Sequence, residues 1–328
     1  MSYYRTGSNE NISTFGDGTR DYTSVSTWES AVDNDNVTAE VTEVLECYAD
    51  SASFDQRCIF AGGTYNATYP LIVRAEENSR NKLRKNAGIV FIYTTTNAIV
   101  FDVRTQFTYF FDLGISLQPA ADTATRGVMQ WSSTSHDGIV GGCLLFDATN
   151  PGTGEARGIV MSGDSMRWRV VNTQFRDIES HGFNASGAGG GDGIMVNCGA
   201  LDCGGDNLRV SGTHVIKNSY ADGAGSSDFA GWDAASDRNA SGDSTAPGST
   251  VWTTQTVTVT SANDGHLSPL DTSSQLRGAS QSTDSDFAFN TDVDVMLRTG
   301  SWDLGPDQIN FSDEDQREGE LLLMRVGS

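Results

Sequence analysis

Val171-Asn-Thr-Gln-Phe-Arg-Asp-Ile178 is followed 25 residues later by Val196-Asn-Cys-Gly-Ala-Leu-Asp-Cys203. At that offset Val171-Asn172-Thr173 falls on Val196-Asn197-Cys198, Asp177 on Asp202, Ile178 on Cys203, Phe183 on Leu208 and Ser186 on Ser211. Gly158-Ile-Val-Met-Ser-Gly163 maps onto Gly182-Phe-Asn-Ala-Ser-Gly187 at an offset of 24. Repetition at two dozen residues, with several short strands per repeat and no helical pattern between them, is the signature of a chain wound into stacked coils. Residues one period apart then sit one strand spacing apart, roughly 4.8 Å. Like residues form columns, with Asn172 under Asn197 at a turn and Thr173 under Cys198 inside. A buried turn amide in such a column is expected to hydrogen-bond its copies on neighbouring coils.

Outward from that stretch the pattern continues. Leu71-Ile-Val, Ile89-Val-Phe-Ile-Tyr93, Ala98-Ile-Val-Phe101, Phe110-Phe-Asp-Leu-Gly-Ile115, Gly138-Ile-Val, Trp168-Arg-Val-Val and Leu208-Arg-Val are short apolar runs, nearly all punctuated by Gly, Asp or Asn. This is the text of many short strands joined by tight turns. The expected fold is all-β: a right-handed parallel β-helix with a short N-terminal capping helix and a β-rich C-terminal cap. Thr27, ahead of Trp28 and Val32, is read as the N-cap of that helix. Residues 1–45 are expected to form an N-terminal arm and cap, 46–222 the β-helix, 223–250 a Gly/Ser/Asp-rich loop, and 251–328 the C-terminal cap. Val251-Trp-Thr-Thr-Gln-Thr-Val-Thr-Val-Thr260 reads as an alternating strand and Leu321-Leu-Leu-Met-Arg-Val326 as a last one.

Composition narrows the function. The 328 residues carry 43 Asp and Glu against 21 Lys and Arg, a net charge of −22, and three of the basic residues are lysines (Lys82, Lys85, Lys217). With no basic stripe to offset repulsion from phosphate, nucleic acid is not an expected partner. No apolar stretch reaches membrane-spanning length, so membrane insertion is not expected either. Dense carboxylates with few lysines point to a surface kept hydrated in high salt. Five cysteines (Cys47, Cys58, Cys143, Cys198, Cys203) show no metal-ligand spacing. Cys47 with Cys58 is a possible pair, and burial as small apolar fillers is the default for the other three.

Gly16-Asp-Gly-Thr-Arg-Asp-Tyr-Thr-Ser-Val-Ser-Thr-Trp-Glu-Ser-Ala31 and Val44-Leu-Glu-Cys-Tyr-Ala-Asp50 resemble the opening of right-handed β-helix repeat proteins of environmental bacteria and tailed viruses. Asp264-Gly-His-Leu-Ser-Pro-Leu270, Leu276-Arg-Gly-Ala and Val293-Asp-Val-Met-Leu-Arg-Thr-Gly-Ser-Trp-Asp-Leu-Gly-Pro-Asp307 resemble their close. The family holds surface proteins, phage fibres and spikes, and some carbohydrate-active enzymes, so the resemblance specifies fold better than function. A lysine-poor acidic member that starts Met1-Ser-Tyr-Tyr-Arg5, without the apolar run of a secretory signal, looks like a virion surface protein of a tailed virus of a halophilic host. What this implies is a non-enzymatic turret, decoration protein, fibre or spike, made in the host cytoplasm and displayed outside. It would be a homo-oligomer docked on other virion proteins, with Tyr3, Tyr4 and Arg5 in its docking arm, and would meet a host glycan or glycoprotein. The alternatives are a polysaccharide lyase or glycoside hydrolase on the same fold, and a cell-surface adhesin.

No catalytic set stands out. Ser180-His181-Gly182 half-matches the Gly-His-Gly of pectin-type hydrolases, no Asp-Asp pair occurs and Arg-Ile-Lys is missing. Arg176 beside Asp177, and Arg209 above Asn184, read as solvated coil-face charges. Asp177 and Asp202 stack on successive coils, and Asp206 falls where His181 sits one coil earlier, so this neighbourhood is acidic. Adjacent carboxylates need screening, protonation or a bridging cation. The expectation is a weak Ca²⁺ or Mg²⁺ site at Asp177, Asp202 and Asp206, with no other cofactor. Gly187-Ala-Gly-Gly-Gly-Asp-Gly193 precedes a strand rather than a helix, so it reads as a protruding turn and not a phosphate cradle.

Overall fold

A computed structural model describes residues 9–267, apart from 86, 96–98, 119–125, 132–136, 163–165 and 186–191, together with 304–306. Three sheets of parallel strands run its length. Sheet A has eight strands, from Glu10–Phe15 through Thr108–Phe111, Arg167–Val171 and Gly193–Val196 to Val215–Lys217. Sheet B has nine, from Phe54–Asp55 through Leu144–Ala148 and Gln174–Ile178 to Val251–Trp252. Sheet C has seven, from Cys58–Phe60 through Ala156–Met161 and Phe183–Ala185 to Phe229–Ala230. The chain visits A, B and C in turn and climbs one strand per circuit, which makes a parallel β-solenoid.

The register is the one the repeat implies. Val171 pairs with Val196, Phe183 with Leu208, and Ile159 with Phe183. The circuit is not constant, however. It takes 30 residues from Thr108 to Gly138 and from Gly138 to Trp168, 25 from Trp168 to Gly193, and 21 from Ile194 to Val215. Each circuit buries one residue per strand in a shared column: Leu45, Val73, Phe110, Val140, Val170, Met195 and Ile216 in sheet A, all fully buried. The matching column of sheet B runs Phe91, Ile115, Leu145, Phe175, Ala200, Ala221, so side chains shrink as the circuit shortens. In the wider half the interior is filled by aromatics, with Phe101 stacked on Phe110 at 5.2 Å and Phe60 edge-on to Phe110 at 5.3 Å.

The turn from A to B explains the asparagines. Asp112, Gly142, Asn172, Asn197, Asn218 and Arg238 occupy it on successive circuits with φ between 46° and 65°. Asn, Asp and Gly are the residues that tolerate this left-handed conformation. The rungs are linked there by backbone rather than by side-chain amides: Asn172 N–H donates to Val196 O at 3.2 Å and Asn197 N–H to Lys217 O at 3.1 Å. Neither side-chain amide atom of buried Asn197 has a hydrogen-bond partner among the described residues, so the expected amide ladder does not form at that rung.

The N-terminal helix is Val25–Val32 and buries Val25, Trp28 and Val32 against the solenoid. Its N-cap is Ser24, whose Oγ accepts from Thr27 N–H, and not Thr27 itself, because Ser24 holds the extended φ and ψ a cap requires. Sheet A begins before residue 46, since Glu10–Phe15 pairs with Thr42–Cys47. The segment 223–250 supplies strands Phe229–Ala230 and Asn239–Ser241, so parallel pairing runs on to Trp252. Its Gly, Ser and Asp are the turn residues of a short circuit. All five cysteines are free and buried, so Cys47 and Cys58 are core fillers like the rest. Ser186, Gly187–Gly191, Tyr3, Tyr4, Arg5 and Leu321–Val326 lie outside the described residues. No helix among the described residues is long and apolar enough to cross a membrane.

Candidate functional site

Asp147 and Asp177 are the next-to-last residues of their sheet B strands, between the paired residues Phe146–Arg176 and Ala148–Ile178, and Asp202 directly follows Leu201, the last residue of the next strand. All three have left-handed backbone, with φ of 47°, 53° and 56°. The column therefore arises from a left-handed kink near the end of each strand, a conformation that selects Asp and aims the carboxylates to one side. The stacking of Asp177 under Asp202 is present as the repeat implies, and the chain brings a cation of its own, Lys85, to this column. Lys85 Nζ lies 2.6 Å from Asp147 Oδ1 and 2.6 Å from Asp177 Oδ2, with its side chain 9% exposed. The bridge thus sits one rung earlier than the expected Asp177–Asp202 pair. Arg176 Nε adds a contact of 3.5 Å to Asp177 Oδ2. Asp202 is left with the weakest compensation: burial raises its pKa first, then the Asp177 carboxylate, against the pull of Arg176.

Asp206 does not join this column. Its carboxylate is 3.5 Å from Arg209 Nη1 and 3.6 Å from His181 Nδ1, at the edge of sheet C. Among the described residues no group of three or more His, Cys, Asp or Glu side chains is placed to hold a metal ion. A divalent ion would find two carboxylates, one of them already held by Lys85. A cleft of about 490 Å³ opens beside the column, lined by Thr149, Asn150, Pro151, Asp177, Glu179 and Asp202 among others. Glu179 is committed to structure there, since its Oε2 accepts from Asn150 N–H at 2.6 Å and Ala156 N–H at 3.1 Å.

Part of the outer face of sheet B is roofed by the chain itself. After Trp252 the backbone folds back along it, and Val259–Ser261 and Asp264–Leu267 form an antiparallel hairpin. Arg176 Nη1 donates to Ser261 O at 3.0 Å, and Gln174 Nε2 to Gly265 O at 2.9 Å and Tyr220 Oη at 2.8 Å. Gly265 N–H donates to Leu83 O, Lys85 N–H to Asn263 O, and Val257 N–H to Asp222 Oδ2. Arg84 pairs with Asp264 at 3.3 Å, and the Asp264 carboxylate also meets His266 Nδ1. Leu267 of the strap is buried in one cluster with Leu201, Tyr220, Ala240 and Leu304. Gly265 lets the strap approach closely where it crosses: a Cβ there would stand 1.9 Å from Gln174 Oε1 and force that side chain to move. Sequence reading missed the strap: its anchors Leu83 and Lys85 are some 180 residues away, and no periodic signal connects them.

On sheet C, Arg157, His181 and Asp206 occupy one position on three successive rungs, as the pairs Ile159–Phe183 and Phe183–Leu208 require. Asp206 N–H donates to His181 Nδ1 at 2.9 Å, and Arg209 Nη1 is 3.4 Å from His181 Nε2. Arg157 pairs with Glu155 at 2.8 Å, and Ser180 Oγ donates to the same carboxylate at 3.1 Å. Burial, then the Arg157 charge, lower the His181 pKa, so the ring is neutral at pH 7. The half match at Ser180-His181-Gly182 was the sequence signal for this cluster. Asn-X-Ser/Thr occurs at Asn11, Asn36, Asn66, Asn184, Asn239 and Asn310, and of these Asn36, Asn184 and Asn239 are buried.

No protein-family model matches the chain, and no curated protein matches it. Among solved structures, the crystal structure of pectate lyase Pel9A is similar over 94% of this chain and 96% of its own, with 13% identity and a TM-score of 0.42. That likeness is too low to bear on function.

Proposed function

We propose that the protein is a non-enzymatic structural β-helix displayed on the surface of a virus particle, as a turret, decoration protein, fibre or spike. In this reading it acts as a homo-oligomer whose solenoid flank meets the host cell surface. The observation that supports the non-enzymatic part is the partial roof over sheet B: the strap crosses it at Gln174, Arg176 and Asp222, and Lys85 bridges two of its carboxylates. A hydrolase or lyase acting on a polymer needs an open groove with free carboxylates or bases along it. The virion setting is supported by the opening and closing motifs, and the net charge of −22 suits a particle exposed to brine. A solenoid also suits an exposed post, because each rung braces its neighbours.

Quantitative mass spectrometry of purified particles tests the setting. Five copies per vertex identify a turret, three or six per tail a spike or fibre, and absence from particles defeats the reading. A polysaccharide-cleaving enzyme is the second reading, favoured by the meeting of His181, Asp206 and Arg209 on sheet C. Release of reducing or unsaturated ends from host envelope polysaccharide would establish it.

A further inference from the structure

The two nitrogens of His181 each face an N–H donor, and a neutral imidazole has one lone pair to offer. The backbone N–H of Asp206 is always a donor, and at 2.9 Å it claims the lone pair of Nδ1 ahead of the Asp206 carbonyl, which stands 3.4 Å from the same nitrogen and would need a proton there. The ring proton is thereby fixed on Nε2. Nε2 is the atom that faces Arg209 Nη1 at 3.4 Å, so that contact sets a donor against a donor. His181 is 8% exposed, so water reaches it poorly, while the Arg209 side chain is 45% exposed and opens the site to solvent. An oxygen placed between Nε2–H and the guanidinium would accept from both.

The surroundings decide what kind of oxygen. Arg157 is paired with Glu155 and Arg209 lies near Asp206, so the cluster holds two cations and two carboxylates with a neutral ring between them. It has no net charge to recruit an anion, and the whole molecule, at −22, repels one. A hydroxyl fits: its oxygen accepts from Nε2–H and Arg209 while its proton goes to Asp206 Oδ2. Such interleaved donors and acceptors on a rigid strand edge are the chemistry of sugar recognition.

We infer that His181 Nε2, Arg209 and Asp206 form a binding site for a hydroxyl of a neutral carbohydrate. This rests on the surface-contact reading for where the sugar comes from, and on the donor conflict for the site itself. The site binds and performs no chemistry.

The test uses the full chain labelled with ¹⁵N-histidine. In the free protein His181 is expected to show a protonated Nε2 and a bare Nδ1; a protonated Nδ1 would overturn the inference at once. The protein is then titrated with an array of neutral oligosaccharides, an array of uronate-containing ones, and sodium sulfate. At least one neutral oligosaccharide is expected to bind and move the His181 Nε2 resonance. Arg209→Ala, at an exposed position, is expected to weaken that binding at least tenfold with the melting temperature unchanged, and Arg209→Lys to restore part of it. No response from any neutral probe, a response to sulfate or uronates alone, or full binding by Arg209→Ala each overturns the site. The particle measurement is read separately. A protein found on particles that binds no neutral sugar defeats the site alone, and one that binds sugar but is absent from particles defeats the virion reading alone.

Discussion

Asp112 opens the turn column that Asn172, Asn197 and Asn218 continue, and it carries a charge where they carry an amide. Burial pushes its pKa up to about 6, against the pull of Arg80 at 3.4 Å. A carboxyl whose folded value lies above its unfolded one, near 4, favours the folded state most when protonated. Its contribution is full below about pH 4 and is lost as pH rises through about 6, a change of about 3 kcal/mol for a shift of two units. Asp112→Asn keeps the left-handed backbone and removes the charge. It is expected to flatten the stability profile between pH 4 and 6, and to raise stability at pH 7 by about 1–2 kcal/mol in urea melts. A lower midpoint at pH 7 would mean that the Arg80 pair outweighs burial. Gly193 is fixed from the other side, since a Cβ there would lie 2.1 Å from Trp168 Cε2. Gly193→Ala is expected to cost about 1–3 kcal/mol by overpacking, read as a lower urea midpoint with unchanged slope.

Among elements, the strand columns were legible in the sequence and the strap was not. Val171 and Val196, or Phe183 and Leu208, repeat because each rung meets the same neighbours, and that regularity is local enough to read as a period. The aspartate column was legible for the same reason. Its cation was not, because Lys85 is 92 residues from Asp177 and sits outside the repeat. The strap is held in large part through backbone groups of Leu83, Lys85, Ser261, Asn263 and Gly265, which leave no trace in residue identity. Lys85→Met is expected to leave Asp147 and Asp177 repelling across one rung, at a cost of about 1–2 kcal/mol given their partial exposure. The effect should be local: amide exchange at Asn263 and Gly265 quickens about tenfold, while Val170 and Met195 stay protected. Uniform quickening across the rungs would show that Lys85 supports the whole solenoid rather than the strap.

For the molecule as a whole, charge and architecture pull in opposite directions. Stacked rungs bring like side chains within one strand spacing, and a chain with 43 acidic residues then faces carboxylates on neighbouring rungs. Screening relieves that repulsion. The melting temperature is expected to climb from dilute buffer into molar KCl; a maximum in dilute buffer would contradict adaptation to brine. Methyl-labelled NMR puts the parallel stacking itself to the test. Cross-relaxation is expected between the methyls of Val171 and Val196, and along Val140, Val170, Met195 and Ile216 from rung to rung. If those methyls show no mutual contacts, the chain does not wind as described, and the columns, the Lys85 bridge and the sugar site fall together.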